Sequence, residues 1–354
     1  MSERDRPNKD PEQAPAKGKN ALNNLIDLAR FIPTPEPTLA ASFSPVLLPM
    51  PGRAQPLQLR VTAPVHGNAL PIVLLSHGHG PSLYLPSKDG YGPLANFLAE
   101  RGFVVIQPTQ ANSKVGGLPR DQPGAPLFWR ERAEELTAIL DGLGTIETAL
   151  PLLKGRLDHT QIAAVGHSLG GHTVALLLGM RVTVEGAEID LREPRIRAGV
   201  LLAAPGAGGD NLSENGKSYG PAFSPEFAHM VTRSLVVFGD RDVSPHLTVR
   251  GADWHADPYH LSPGAEALLT IAGGRHGLGG IAGYDAKETD DEDPDRVELT
   301  RRMVWAYLRS ALIDGDNAWE DACAALDGPA GALGRVDHKE RQAASGRSLL
   351  SRCR

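Results

Sequence analysis

Val165-Gly166-His167-Ser168-Leu169-Gly170-Gly171 decides the reading of this chain; it follows the apolar run at 162–165 and leads into the helix-like stretch at 172–180. A serine at such a strand-to-helix turn must hold a strained backbone with its hydroxyl pushed outward, and glycines two positions before and after it avoid the clashes that result. Gly166 and Gly170 fill those positions. The pattern predicts a nucleophile elbow with Ser168 at its tip, in preference to an ordinary glycine-rich turn.

Outward from the elbow, apolar runs alternate with helix-like ones, which is the signature of an α/β sheet. Residues 57–62 alternate as a half-buried strand would, while 71–76, 103–107, 162–165, 198–203, 234–238 and 267–271 read as buried parallel strands. Helices are predicted at 91–101, 128–153, 169–180 and 297–312. No linker and no internal repeat interrupts the series, so one catalytic-type domain is expected over 40–326. Residues 1–39 precede it: a polar start, too poor in apolar surface to offset its ordering entropy, then a short amphipathic helix over 21–32 that meets Pro33, Pro35 and Pro37. Docking of that helix on the domain is favoured over a membrane surface or a partner. Residues 327–354, with Arg335, Lys339, Arg341, Arg347, Arg352 and Arg354 among small polar residues, read as a flexible basic tail.

Composition narrows the function classes. At 354 residues with 41% hydrophobic content the chain suits a globular protein, and its net charge of −6 lacks the basic excess of a nucleic-acid binder. No stretch approaches the roughly 20 apolar residues of a membrane helix, and the start lacks the apolar core of a secretory signal. Only Cys323 and Cys353 are present, so a structural disulfide is not expected and a cytoplasmic location is.

A serine hydroxyl needs a histidine to take its proton and a carboxylate to hold that histidine in the right tautomer. On this type of sheet the chain order should be Ser, acid, His. Gly239-Asp240-Arg241-Asp242 follows the strand at 234–238, and Gly273-Gly274-Arg275-His276-Gly277 follows the strand at 267–271. Of the twelve histidines, His276 has the right place after the last strand. His167 and His172 read as packing residues near the elbow; His246, His255 and His260 could line a pocket but come too early. Asp242 is preferred to Asp240 as the acid because its extra two residues of reach suit a loop that must bend toward the histidine.

Negative charge developing on a carbonyl oxygen needs backbone donors. The amide of Leu169, at a helix N-terminus, is one. The other is expected from His77-Gly78-His79-Gly80 after the strand at 71–76, with His79 the choice. His77 and His79 could also form a metal pair, but no third His or Cys has compatible spacing. The acidic run Thr289-Asp290-Asp291-Glu292-Asp293-Pro294-Asp295 lacks the alternation and glycine of a calcium loop, so it reads as an approach to the N-terminus of the helix from Val297.

Together these residues resemble the α/β-hydrolase superfamily and, within it, the serine esterases related to dienelactone hydrolases, bacterial platelet-activating-factor acetylhydrolases, chlorophyllases and cutinase-like polyester hydrolases. The resemblance covers residues 46–312 and rests on Leu74-Leu75-Ser76-His77-Gly78-His79-Gly80, Gly166-His167-Ser168-Leu169-Gly170-Gly171, Gly239-Asp240-Arg241-Asp242 and His276-Gly277-Leu278-Gly279-Gly280. Dienelactone hydrolases proper use a cysteine nucleophile; Ser168 places this chain on the esterase side. The resemblance implies an α/β-hydrolase fold with a mostly parallel sheet of about eight strands and little or no cap, a Ser168–Asp242–His276 triad, no cofactor, no metal, and a small-molecule ester as substrate. Residues 202–234 are short for a cap, so a fairly open cleft for short or medium acyl groups is expected, with Trp254 and Tyr259 as candidates to line it. Two other functions compete: a serine peptidase or amidase on the same fold, and a catalytically silent module that binds partners through its amphipathic segment or basic tail. A dehalogenase is excluded because it would need a carboxylate at position 168.

Overall fold

The structure, a computed structural model, describes residues 25–51 and 53–339. The expected disorder at 1–20, residues 21–24 of the expected amphipathic helix and the tail residues from 340 onward lie outside that range. Apolar runs too short for helices become the strands β1 Ala40–Leu48, β2 Leu57–Pro64, β3 Leu70–Ser76, β4 Val104–Pro108, β5 Leu157–His167, β6 Ile196–Leu202, β7 Ser234–Gly239 and β8 Ala265–Ile271, and a polar segment adds β9 Gly334–His338. They form one sheet in the order β1-β2-β4-β3-β5-β6-β7-β8-β9, parallel from β4 through β8 and antiparallel at both edges. Alternate residues of each buried strand face opposite layers. Val73, Leu75, Val165, Val200 and Val237 meet helices α1 Gly92–Glu100 and α4 Pro294–Leu312. Ile72, Leu74, Ala164, Leu201 and Val236 meet α2 Trp129–Asp141 and α3 Leu169–Leu178 on the other face. Each fully buried Val, Leu or Ile contributes about 2 kcal/mol to holding the layers together.

The sequence reading and the structure part at three elements. The single helix expected at 128–153 breaks at Gly142, whose ψ of 6° departs from the helical value, and the chain continues as a separate helix Leu143–Ala149; the missing side chain at Gly142 leaves room for Leu48 of β1. The basic tail expected from 327 begins with two ordered pieces: Ala330 is buried, and β9 pairs with β8 from Ala267↔His338 to Ile271↔Gly334. An edge strand needs only one apolar face, which is why its polar residues read as tail. Of the amphipathic segment, residues 25–32 form one turn of 3-10 helix, Ala29–Phe31, with Ala29 and Ile32 buried on the domain. The Asp295 carboxylate accepts the N–H groups of Asp27, Leu28 and Ala29, and Arg302 donates to the Ile32 carbonyl. Among the described residues no helix is long and apolar enough to cross a membrane.

Candidate active site

β5 ends at His167, and Ser168 follows with φ 54° and ψ −121°, a conformation that costs a non-glycine residue about 1–3 kcal/mol. The fold holds it there: Ser168 N–H donates to Leu202 O on β6 at 2.8 Å, and its carbonyl accepts from His172 N–H at 3.1 Å. A Cβ on Gly166 would run into the Gly170 carbonyl, and one on Gly170 into the Ser76 carbonyl of β3. The turn is therefore closed against both neighbours.

Because β7 and β8 are adjacent, the loops beyond their carboxyl ends meet in front of the elbow, at the end of a parallel sheet where such sites form. His276 Nε2 stands 2.9 Å from Ser168 Oγ, and its Nδ1 is 3.0 Å from each oxygen of the buried Asp242 carboxylate. Burial works against the imidazolium of His276, but the Asp242 charge outweighs it and raises the pKa. Burial alone would raise the Asp242 pKa; His276 and His255 hold it well below the usual carboxylate range. Asp240 is exposed and accepts the Gly273 N–H at 2.7 Å, bracing the turn that leads to His276 without touching its ring.

Three contacts around this chain of side chains went unforeseen. His255, read as a possible pocket residue, is buried behind Asp242, with Nε2 3.3 Å from the Asp242 carboxylate and from Ser244 Oγ and Nδ1 2.8 Å from the Ala204 carbonyl. His167, read as a packing residue, bridges the elbow to the His276 loop. Gly78 N–H donates to Tyr91 Oη at 3.0 Å, Tyr91 O–H to His167 Nδ1 at 2.8 Å, and His167 Nε2–H to the His276 carbonyl at 2.7 Å. Burial pushes the His167 pKa down to about 3, which keeps the ring neutral in that role. The acidic run does more than approach α4. Asp293 caps its N-terminus, accepting from Asp295 and Arg296 N–H, while Asp291 accepts the N–H groups of Arg275 and Gly279 on either side of His276, at 2.8 and 3.2 Å. Sequence spacing carries no signal for such partners, since each lies on a different element. His172 is buried and bonds the Ala222 carbonyl, a packing role as expected.

The amides of Leu169, first residue of α3, and of His79, on the loop after β3, are taken up by no protein acceptor among the described residues. A helix N-terminus leaves its first N–H groups free by construction. Both stand at the ends of the adjacent strands β3 and β5. The His77 ring spends both nitrogens on protein, donating from Nδ1 to Gly78 O at 2.8 Å and accepting Gln110 N–H at 3.0 Å, while His79 Nδ1 accepts from Asn112; the two do not converge on a metal. Asp242, His255 and His276 have donor atoms within 4.8 Å of one another and could hold an ion, at the cost of the proton that His276 Nδ1 shares with Asp242.

A cleft of about 220 Å³ opens over Ser168. Its apolar wall is Leu127, Leu169, Tyr219, Phe223 and Leu247; His79, Glu288 and Thr289 line the polar side. Trp254 and Tyr259 do not line it. Trp254 is fully buried behind that wall, packed with Leu127, Leu169 and Phe223 and donating Nε1–H to Ala207 O, and Tyr259 sits in the core under the sheet. The aromatic part of the wall, Tyr219 and Phe223, comes instead from the segment before β7, which folds as a short helix Glu214–Ser218 and a 3-10 turn Gly220–Phe223.

A profile of the alpha/beta hydrolase family matches residues 72–341. Among solved structures the chain is similar to a hyperthermophilic esterase from the archaeon Pyrobaculum calidifontis, with 20% identity over 80% of this chain and 86% of that one and a TM-score of 0.51. It is also similar to an arylesterase, with 16% identity over 81% of this chain and 89% of that one and a TM-score of 0.49. At 20% identity the likeness to the Pyrobaculum esterase speaks to fold alone. No curated protein matches the chain. The matched segment runs from β3 past β9 and contains Ser168, Asp242 and His276 in that order, and on it the chain belongs to the alpha/beta hydrolase family.

Proposed function

We propose that this protein hydrolyses carboxylic esters through an acyl-enzyme on Ser168. The observation that carries the reading is the unbroken path from Ser168 Oγ to His276 Nε2 at 2.9 Å and from His276 Nδ1 to Asp242 at 3.0 Å. Ser168 Oγ attacks the ester carbonyl as His276 takes its proton; the Asp242 charge supports the imidazolium so formed. The carbonyl oxygen, now an alkoxide, accepts the N–H groups of Leu169 and His79. Collapse breaks the C–O bond, His276 returns the proton to the departing alcohol, and water enters by the reverse sequence to release the acid. The apolar wall of a cleft this size suits a short or medium acyl group.

The test is a panel of p-nitrophenyl esters of rising chain length beside an amide analogue, with Ser168→Ala as control. Ester turnover is expected in the wild type, falling on the order of 10⁴ or more in the variant while the fold persists. Turnover of the amide and no ester, or undiminished turnover in the variant, overturns the reading.

A further inference from the structure

The amides of Leu169 and His79, which meet no protein acceptor among the described residues, sit on different elements, and one buried cation is hydrogen-bonded to both of those elements. Arg132 of α2 has no exposed surface. Its Nη2 donates to the His77 carbonyl at 2.6 Å and to Ser76 Oγ at 3.0 Å, its Nη1 to Asn112 Oδ1, and its Nε to Thr173 Oγ1 at 2.9 Å. Asn112 donates onward to His79 Nδ1 at 3.1 Å, and the Thr173 hydroxyl donates to the Leu169 carbonyl at 3.0 Å. The guanidinium thus reaches the His79 loop on one side and the first turn of α3 on the other. All four acceptors are neutral. Glu135, the neighbouring acid, attracts the guanidinium through space but gives its hydrogen bonds to Arg53 and the Ala111 N–H. Removing a guanidinium from water is costly and neutral acceptors repay that cost poorly, so packing alone is a weak reason for a cation here. Burial lowers its pKa to about 9, and it remains charged at neutral pH.

We propose that Arg132 is a positioning residue for the oxyanion site: it locks the loop carrying His79 and the helix turn carrying Leu169 into one register, and sets a fixed positive charge between the two segments that carry the donors. Negative charge appears on the substrate oxygen only as Ser168 attacks, so the benefit falls on the transition state more than on bound ester. The His77 ring adds to it by donating to the Gly78 carbonyl, which polarises the peptide whose N–H is that of His79.

The inference rests on the ester-hydrolase reading, and the test separates the two. Wild type, Arg132→Met, Arg132→Lys, Asn112→Ala and Thr173→Val are assayed with one activated ester, active sites being counted by complete labelling of Ser168 with a fluorophosphonate. Arg132→Met is expected to lose roughly tenfold to a hundredfold in kcat per labelled site with KM nearly unchanged, to label more slowly by a similar factor, and to recover in part as Arg132→Lys. A merely structural arginine would lower the melting temperature and the number of sites, leaving kcat per site alone. The inference fails if kcat per site in Arg132→Met stays within about twofold of wild type. Should that variant not fold, Asn112→Ala and Thr173→Val decide: a loss of several-fold in kcat at constant KM supports the proposal, and two values within about twofold of wild type overturn it. A wild type that cleaves no ester and is not labelled at Ser168 removes the hydrolase reading itself, and this inference with it.

Discussion

Asp240 and Asp242 stand two residues apart in one loop, yet one carboxylate holds a backbone turn through Gly273 and the other holds the His276 ring. Asp242→Asn is expected to leave the imidazole in the wrong tautomer and lower kcat on the order of 10⁴. Asp240→Asn should keep most of the rate. Steady-state kinetics on a single activated ester check the ranking, and a severe loss at Asp240 with a mild one at Asp242 would exchange the roles. The pH profile gives a second reading of the same pair. Asp242 raises the pKa of His276, and the base must be neutral, so kcat/KM should rise with pH through a midpoint above the ordinary histidine value of about 6.5. Stability runs the other way: the folded state binds the His276 proton more tightly than the unfolded chain, so this contribution is complete below the unfolded pKa and is lost as pH rises through the folded one. In Asp242→Asn the residual activity should show its midpoint displaced to lower pH.

The strand-turn-helix formed by β5, Ser168 and α3 is the element on which everything else is aligned. It is packed so closely that its glycines have no room for a methyl group: the obstacles at Gly166 and Gly170 are backbone carbonyls, which cannot rotate aside. Gly166→Ala and Gly170→Ala are each expected to cost several kcal/mol, read as a fall in the urea midpoint or as loss of folded protein. Gly144, in the helix Leu143–Ala149, has open space where its Cβ would stand, and Gly144→Ala should stabilise by about 0.5–1 kcal/mol. An elbow alanine variant as stable as wild type would mean that the turn relaxes where the structure is rigid. Around this element the other loops are tied rather than free. Glu288 accepts the N–H and O–H of Ser82 and so fastens the loop after β3, as Asp291 fastens the loop of His276.

At the scale of the whole molecule, the far end of the chain returns to support the strand that carries His276. β9 pairs along β8, and Ala272 N–H, just past β8, donates to Leu333 O. A chain ending at Leu333 is expected to melt several degrees below one ending at Lys339, a size of effect that a loss of about 2 kcal/mol produces in a protein this large. Thermal unfolding of the two lengths checks it, and equal melting temperatures would make the strand dispensable. Much of this molecule was legible beforehand wherever the cause is local. Gly166 and Gly170 are demanded by a turn a few residues long, runs such as 71–76 and 162–165 can bury themselves only as central strands, and Ser168, Asp242 and His276 each follow such a run. Sequence alone also left two aspartates in contention at one loop. Only tertiary structure put the Asp242 carboxylate and not that of Asp240 against the His276 ring, set His255 behind Asp242 and Arg132 between the loop after β3 and the first turn of α3, lined the cleft with Tyr219 and Phe223 and not Trp254 and Tyr259, broke a helix at Gly142 beside Leu48, and made a strand of polar residues at 334–338. In each of these the partner is distant in sequence or the choice lies between near neighbours of like chemistry, and what settles it is the order in which the strands lie side by side, which no periodicity records.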